Sequence, residues 1–288
     1  LFLLDAYALI YRAYYALIRN PRINSKGMNT SAIMGFVNTL NEVLTKESPT
    51  HIAVAFDPSG PTFRHEEYPE YKAQREQCPE DIKNSVPIIK KILNAWNITI
   101  LEEKGYEADD VIGTVALKAG EDGYETYMLT PDKDYCQLVR ENVYMYRPRF
   151  GNSGYDVLGP EEIKQKYDLT TPLQVIDLLG LMGDAADNIP GCPGVGEKTA
   201  SCYLQRAKGE SAVVVDTHFE RTAFRLGLTD THDRTKACKE IKETIDKEYW
   251  NRLSDTVNSL GRMFCRPKPK CTECPLSELC PKVGVKRE

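Results

Sequence analysis

Nine acidic residues stand in short groups whose spacing suits the binding of divalent cations. Glu107 and Asp110 lie three apart at the start of a predicted helix, so they share one face, and Asp109 adds a neighbouring oxygen. Asp132 and Asp134 are predicted to lie on one side of an extended turn. The full set is Asp5, Asp57, Glu107, Asp109, Asp110, Asp132, Asp134, Asp184 and Asp187. Hydrolysis of a phosphodiester by two metal ions needs many such oxygens in a small space, since Mg²⁺ takes six.

A simpler interpretation exists for each of these groups alone. Asp and Glu are common at helix N-termini and in turns, where they accept hydrogen bonds from the backbone. Carboxylates gathered at successive strand ends are harder to explain in this way, because like charges in a partly dry cleft repel each other unless a cation lies between them. The combined pattern therefore favours a metal centre.

The elements that must position these carboxylates alternate between strand and helix. Short apolar runs predict strands at Leu1–Asp5, His51–Asp57, Ile98–Glu102, Thr126–Thr130 and Val143–Tyr146. Helices are predicted at 31–46, 80–95 and 107–120, from Pro160, and at Thr171–Gly183. Such alternation predicts a parallel sheet covered by helices, with ligands at the carboxyl ends of the strands. The acidic groups follow those ends.

Composition limits the class of protein. The chain has 288 residues, 41% hydrophobic and 27% charged, with a net charge of −5. No apolar run reaches about 18 residues and no secretory leader precedes the first strand, so we expect no membrane association. A DNA-binding protein is usually basic, unless it gathers carboxylates to hold metal ions. The nine cysteines are unlike a secreted disulfide scaffold and indicate a reducing compartment.

Residues 1–200 resemble the 5′-3′ exonuclease domain of bacterial DNA polymerase I, within the flap endonuclease superfamily. The matching stretches are LLDAYALIYRAYYA, VAFDPSGPTFRHEEYPEYKAQR, GYEADDVIGT, LTPDKDYCQLV, LLGLMGDAADNIPG and GVGEKTA. The resemblance implies a PIN-like fold, all nine carboxylates as ligands of two Mg²⁺ or Mn²⁺ ions, and DNA with a 5′ flap, nick or branch as substrate. It also implies a monomer in the bacterial cytoplasm, at the nucleoid, with a DNA polymerase as partner.

The same resemblance assigns DNA contacts to basic and aromatic residues. Arg64, Lys72 and Arg75 match a helical arch that threads or holds the 5′ strand, and Lys72 and Arg75 would stabilise charge at the scissile phosphate. Tyr11 matches an aromatic position where a base could stack. Without the resemblance, Lys72 and Arg75 would be interpreted as a solvated helix face.

A helix-hairpin-helix is predicted at Pro193–Ala200. Gly194 and Gly196 allow a tight turn whose backbone N–H groups, followed by Lys198 and Thr199, face a phosphate near a helix N-terminus. A K⁺ ion is a further expectation there. Binding of this kind is independent of base sequence. The alternative is an ordinary glycine-rich connection between helices.

Residues 193–282 resemble the C-terminal part of endonuclease III, a helix-hairpin-helix DNA glycosylase. The matching stretches are PGVGEKTAS, VVDTHFERTAFRLGL, LGRMFC and CTECPLSELC. The resemblance implies Lys198 as Schiff-base nucleophile and Asp216 as the carboxylate that assists it. The polymerase-type resemblance is expected to stop after the hairpin, and the helices that precede it in endonuclease III are missing. The chain therefore reads as two proteins joined at a shared motif.

Four cysteines near the end of the sequence suit a metal or cluster. They are Cys265, Cys271, Cys274 and Cys280, and the first spacing is one residue shorter than in endonuclease III. A [4Fe–4S] cluster is expected, with zinc as the second choice and unligated thiols as the simplest. Arg266, Lys268 and Lys270 between them resemble a phosphate-contacting loop, or else a solvated one.

These patterns predict an α/β nuclease domain at 1–188, a helix-hairpin-helix junction at 189–206, and an all-α endonuclease III-like region with a terminal Cys cluster at 207–288. The leading hypothesis is a structure-specific 5′-3′ exonuclease or flap endonuclease acting in DNA replication and repair. The alternatives are a glycosylase with abasic-site lyase activity, or a DNA-binding fusion without catalysis.

Overall fold

A computed structural model describes residues 1–149, 154–207 and 211–285. The chain divides into two units, Leu1–Pro193 and Gly194–Glu288. Within the described ranges, no helix is long and apolar enough to cross a lipid bilayer.

A six-stranded sheet forms the centre of the first unit. Its strands are β1 Phe2–Asp5, β2 Ile52–Ala55, β3 Thr99–Leu101, β4 Thr126–Leu129, β5 Val143–Pro148 and β6 Tyr155–Leu158, in the spatial order β3-β2-β1-β4-β5-β6. The first five are parallel, and β6 pairs with β5 in the antiparallel direction. The five predicted strands and the parallel sheet are thus confirmed, and β6 is an addition to them.

Helices cover this sheet. They are α1 Ala6–Ala16, α2 Ser31–Glu42, α3 Phe63–Glu67, α4 Glu80–Ala95, α5 Ala108–Glu121, α6 Pro160–Tyr167 and α7 Val175–Met182. A π-helical turn, Val43–Glu47, extends α2, and 3₁₀ turns occur at Lys133–Leu138 and Pro172–Gln174. Leu4, Val54 and Leu129 from the strands and Ile10 and Phe36 from the helices are fully or almost fully buried, so the core lies between the two layers.

A short hairpin closes the first unit. Its two strands, β7 Gly183–Asp184 and β8 Ile189–Pro190, pair in the antiparallel direction. Gly183 has a φ of 74°, and a Cβ on Gly191 would collide with the backbone of Met182 and Gly183. Glycine is therefore required at both positions for the two strands to meet.

The second unit is helical, as predicted. It contains α8 Glu197–Ala207, α9 Thr217–Arg225, α10 Arg234–Thr244 and α11 Trp250–Met263, with 3₁₀ turns at Lys247–Tyr249 and Cys271–Glu273. Phe219, Ile241 and Val257 form its buried core. The apolar run at 212–215 is not a strand, because its amides bond to side chains of α11: Ala212 N–H to Asn251 and Val214 N–H to Ser254.

Candidate active site

Two of the predicted acidic residues end neighbouring parallel strands. Asp5 ends β1 and caps α1, where its side chain accepts the Ala8 N–H at 3.1 Å. Asp57 follows β2 and accepts the Ala108 N–H, at the start of α5, at 2.7 Å. The strand register, with Asp5 opposite Ala55, therefore places both carboxylates at one edge of the sheet.

The Glu107–Asp110 group begins α5. Glu107 is the residue before the helix, and its backbone N–H donates a hydrogen bond of 2.9 Å to the Asp110 carboxylate. This capping arrangement turns Asp109 inward, where it accepts the Tyr135 hydroxyl at 2.9 Å. The expectation that Glu107 and Asp110 share a helix face is replaced by direct contact between the two residues at the helix N-terminus.

Asp132 and Asp134 lie at the start of a 3₁₀ turn, so the predicted extended turn is wrong. Asp132 caps this turn and accepts the Asp134 N–H at 3.0 Å. The capping bond explains the difference, because a short Asp side chain satisfies its own backbone two residues on and so favours a tight turn.

The hairpin supplies the last two carboxylates. Asp184 ends β7, and its side chain accepts the Ala186 N–H at 2.7 Å and lies 3.0 Å from the Lys133 ammonium. Asp187 follows in the same loop and contacts two residues of the segment after α3, the Arg75 guanidinium and the Tyr71 hydroxyl.

The predicted arch residues lie against the carboxylates. Arg64 in α3 makes a two-pronged ion pair with Asp110, both bonds measuring 2.7 Å. Lys72 donates to both oxygens of Glu107 at 2.9 Å. Each predicted DNA contact in this segment is therefore bonded to an acidic residue, in the fork geometry of arginine or the point contact of lysine.

Nearly all the site residues of the first unit border two adjoining clefts. One cleft is lined by Asp5, Tyr11, Asp57, Lys72, Arg75 and Asp132, and the other by Arg64, Asp110 and Asp134. Glu107, Asp109 and Asp187 border both. Asp184 stands beside them and interacts electrostatically with Asp134.

Burial and mutual repulsion shift the pKa values of the inner carboxylates upward. Burial, with the charge of Asp5, raises the pKa of Asp109 to about 8. Burial, with the charge of Asp57, raises the pKa of Asp5 to about 6, and burial with Asp132 raises that of Asp134 to about 6. These residues are therefore electrostatically unfavourable as anions beside one another, which suits them to a cation.

The outer carboxylates behave in the opposite way. Burial acts to raise the pKa of Asp110, but the Arg64 guanidinium and the Glu107 N–H outweigh it and leave that pKa below its usual value. Likewise, Lys133 and the Ala186 N–H outweigh the burial of Asp184 and lower its pKa. The acidic set thus contains inner residues whose pKa values are raised by burial and by neighbouring carboxylates, and outer residues that are paired with basic groups.

The carboxylate oxygens of this site are the donor type that divalent cations prefer, but across the described ranges their positions do not form a ligand shell around one ion. Among the residues described, no three His, Cys, Asp or Glu side chains converge closely enough to hold one ion. Lys72 is bonded to Glu107 and Arg75 to Asp187, so these two carboxylates are paired with basic groups. Oδ1 of Asp134 is nevertheless buried without a hydrogen-bond partner among the residues that the structure describes, and such a carboxylate oxygen facing other carboxylates fits a hard cation.

Tyr71 belongs to this site and was missed from the sequence. Its hydroxyl donates to Glu107 at 2.9 Å and lies 3.1 Å from Asp187, and burial with these two charges raises the pKa of Tyr71. A tyrosine beside charged residues shows no periodicity that would distinguish an inward side chain from a surface one. Its position directly before Lys72 was the available signal.

In the second unit, Lys198 and Asp216 have separate partners. Lys198, exposed at the start of α8, donates to Thr235 at 2.5 Å. Asp216 caps α9 by accepting the Phe219 N–H at 2.8 Å and lies 3.8 Å from Arg262. Both residues are described, and neither a hydrogen bond nor an ion pair joins them. Gly194, with a φ of 77°, and Gly196 precede α8 with open space around them, and Thr199 lies exposed in its first turn.

The four terminal cysteines line one pocket together. Arg225 organises this segment: its guanidinium donates to the Arg266 carbonyl at 2.6 Å and to Cys265 Sγ at 3.6 Å, and its carbonyl accepts from Cys280 Sγ at 3.5 Å. Thiols around one pocket fit a cluster or zinc by donor type. In the described residues they do not yet form the ligand shell of one ion, so the predicted Cys centre stays a prediction.

Two domain families match the chain. Residues 1–168 match the 5′-3′ exonuclease, N-terminal resolvase-like domain, and residues 170–253 match the 5′-3′ exonuclease, C-terminal SAM fold. The second match corrects the expectation that resemblance to the exonuclease stops after the hairpin, since it continues through α10 to residue 253.

Known proteins agree with this assignment. DNA polymerase I of Bacillus caldotenax is 44% identical over 207 residues, 72% of this chain but only 23% of that protein. A zinc-bound T5 5′-exonuclease, 19% identical, has the same fold, with a TM-score of 0.56 over 91% of this chain and 90% of that one. A trapped endonuclease III–DNA intermediate matches 31% of this chain and 43% of that chain at 38% identity, but its TM-score of 0.28 is too low to indicate a shared fold. On the domain matches, the chain belongs to the 5′-3′ exonuclease family of nucleases.

Proposed function

We propose that this chain hydrolyses DNA phosphodiesters near a free or branched 5′ end, using two divalent ions, Mg²⁺ or Mn²⁺. The observation that carries the proposal is the gathering of carboxylates from the ends of β1, β2 and β4 and the start of α5 at two adjoining clefts. The raised pKa values of the inner residues support it, because a cation would offset their repulsion.

The inner carboxylates Asp5, Asp57, Asp109, Asp132 and Asp134 would hold the ions directly or through water. The outer ones that complete the set are Glu107, Asp110, Asp184 and Asp187. Bound divalent ions lower the pKa of an attacking water and stabilise charge on the leaving oxygen. Lys72 and Arg75, which border the same cleft, would place positive charge beside the reacting phosphate.

The substrate class proposed is DNA with a 5′ flap, nick or branch. The B. caldotenax relative is a DNA polymerase, which suggests a polymerase as partner. In the second unit, the Gly194–Thr199 turn would contact duplex phosphates without reading base sequence, with K⁺ as a candidate ion. We propose a monomer as the working form.

The test is cleavage of a 5′-labelled flap DNA in Mg²⁺. Asp5→Asn should lower the rate at least about 100-fold, the size of loss seen when a single charge-stabilising group is removed from an active site. EDTA should abolish cleavage, and Mn²⁺ should restore it. Asp122→Asn, at the exposed far end of α5, is the matched control and should cleave like the parent protein.

Cleavage that persists in EDTA, or an Asp5→Asn variant as fast as Asp122→Asn, would remove the proposal. Melting curves for both variants distinguish lost chemistry from lost folding.

We further propose that Cys265, Cys271, Cys274 and Cys280 hold a [4Fe–4S] cluster, with zinc as the alternative. Their common pocket supports this proposal. Protein purified without oxygen should contain iron and sulfide and absorb broadly in the visible range, and Cys271→Ser should lose both. Cys192→Ser, an exposed thiol in the first unit, is the control.

The separate partners of Lys198 and Asp216 give no support to a glycosylase or abasic-site lyase activity.

A further inference from the structure

Three tyrosines repeat every four residues along α1. Tyr7 and Tyr11 have ring centroids 6.5 Å apart, and Tyr11 and Tyr15 have theirs 6.2 Å apart with planes inclined by 26°. Residues four apart share a helix face, so the three rings form a row, here called the tyrosine row. From Tyr7 to Tyr15 it extends about 12 Å along the helix.

The tyrosine row borders the cleft that contains the carboxylates. The same cleft is lined by Asp5, which caps α1, and by all three tyrosines, with the exposed Lys83 of α4 also on its wall. The row therefore leads away from the proposed metal site along one continuous surface.

Core packing explains only part of the row. Tyr7 and Tyr11 pack against the hydrophobic core of the first unit, as does Tyr14 beside them. Tyr15 is 52% exposed, and within the described ranges its ring contacts are those with Tyr14 and Tyr11. A half-exposed aromatic ring beside a polar cleft is suited to a flat ligand, because its face can be covered without disturbing the core.

We propose that Tyr15 is a second stacking position for a single-stranded 5′ segment, one step farther from the carboxylates than Tyr11. The inference rests on the proposed function. A base stacked on Tyr15 needs no particular identity, because every base has a π-face, and Lys83 supplies a cation for the backbone. Tyr15 is thus a positioning residue: it holds the unpaired segment of the substrate and takes no part in the reaction itself.

The test compares two substrates: a flap with four unpaired nucleotides, and a nick with none. Tyr15→Ala should raise KM for the flap about 10-fold, as expected from the loss of one stacked base, with kcat within about twofold. KM for the nick should stay unchanged. Tyr15→Phe and Tyr15→Trp should restore flap binding. Tyr124→Ala, an exposed ring against His51 before β4, is the matched control.

A second measurement does not depend on cleavage. The fluorescent base 2-aminopurine, placed in the unpaired segment, should be quenched when the flap binds in Ca²⁺. Tyr15→Ala should remove the quenching at one nucleotide only, while Tyr124→Ala keeps it. Equal quenching in both variants, or a Tyr15→Phe variant as weak as Tyr15→Ala, overturns the inference. If the parent protein cuts neither substrate in Mg²⁺ or Mn²⁺, the proposed function fails separately, and the fluorescence still decides the role of Tyr15.

Discussion

At the scale of single residues, the candidate active site is electrostatically strained around Asp109. This carboxylate is inserted among Asp5, Asp57 and Asp132, and in the described part of the chain its hydrogen-bond donor is the neutral hydroxyl of Tyr135. A neutral donor offsets only part of the cost of removing a charge from water. Protonation of Asp109 or binding of a cation beside it would remove the remaining cost. We therefore expect a proton and a metal ion to stabilise the folded protein in the same way.

This strain predicts an unusual pH dependence. Asp5, Asp109 and Asp134 have pKa values of about 6, 8 and 6, above the ordinary value near 4. Between about pH 4 and pH 8 the folded protein therefore binds more protons at these carboxylates than the unfolded chain does. The free energy of unfolding consequently falls as pH rises through this range. With EDTA present, Tm should fall by about 5 °C or more between pH 5.5 and 8, as measured by circular dichroism.

Asp109→Asn should flatten that dependence, because the amide cannot ionise, and Mg²⁺ should raise Tm at pH 8 for the parent protein more than for this variant. Asp122→Asn should retain the full slope. A metal-free Tm that rises from pH 5.5 to 8 would contradict the account.

The site residues could be predicted where they stand close together in the sequence, as Glu107, Asp109 and Asp110 do. The residues that bond to them could not be predicted. The sequence offers no means of pairing Arg64 with Asp110 or Tyr71 with Glu107, because each pair lies more than 30 positions apart and meets only through the fold. Pairing across such distances is determined by sheet register and loop packing.

At the scale of elements, the β7–β8 hairpin fixes the last two carboxylates. Its loop is tied to the segment after α3 by several bonds: the Lys72 N–H donates to the Asp187 carbonyl, Gln74 donates to the Ala185 carbonyl, and Asn188 donates to the Glu70 carbonyl. A displacement of the hairpin would therefore move carboxylates and basic residues together.

Gly191→Ala should have this effect. The added methyl would meet backbone atoms of Met182 and Gly183, which cannot rotate away as a side chain can. We expect a loss of about 3 kcal/mol or more, with flap cleavage reduced along with it. Gly180→Ala is the matched control, since space around this helical glycine is open and alanine should stabilise α7 by up to about 1 kcal/mol.

Denaturant titration measures both variants. If Gly191→Ala unfolds at the same midpoint as Gly180→Ala, the hairpin does not impose the constraint described.

Elements were predictable where the pattern was long and regular. The helix at 80–95 and the five parallel strands follow from their apolar periodicity. β6 was missed because Tyr155–Leu158 has little alternation, and its register comes from β5 and from ion pairs of Asp156 with Arg147 and Arg149.

At the scale of the whole molecule, a net charge of −5 must be reconciled with the proposed substrate, DNA, which is a polyanion. Four basic residues at or beside the clefts, Arg64, Lys72, Arg75 and Lys133, are each bonded to a carboxylate, and the exposed Lys83 is a further lysine on the wall of one cleft. The proposed DNA substrate would therefore approach a surface whose charges are largely balanced within the protein. Divalent ions would add to Lys83 in making the clefts attractive to phosphate.

Affinity for DNA should consequently depend on divalent ions beyond their effect on ionic strength. Replacing EDTA with millimolar Ca²⁺ should lower Kd for a 5′-flap DNA at least about 10-fold in fluorescence anisotropy. KCl at matched ionic strength should weaken binding, because salt screens charges and competes with protein cations at the phosphates. Equal effects of Ca²⁺ and KCl would show that the carboxylates take no part in binding.

The contact between Lys72 and Glu107 has a consequence for the order of events on the enzyme. The ammonium lies 2.9 Å from both oxygens of Glu107, the same lone pairs that a metal ion would use. A divalent ion bound at Glu107 would displace the lysine, whose ammonium also lies 4.0 Å from Asp187 and borders the cleft proposed to receive the phosphate. Loading with metal and capture of the DNA strand would thus be two halves of one exchange of counterions, in which neither charge is left unpaired in the cleft.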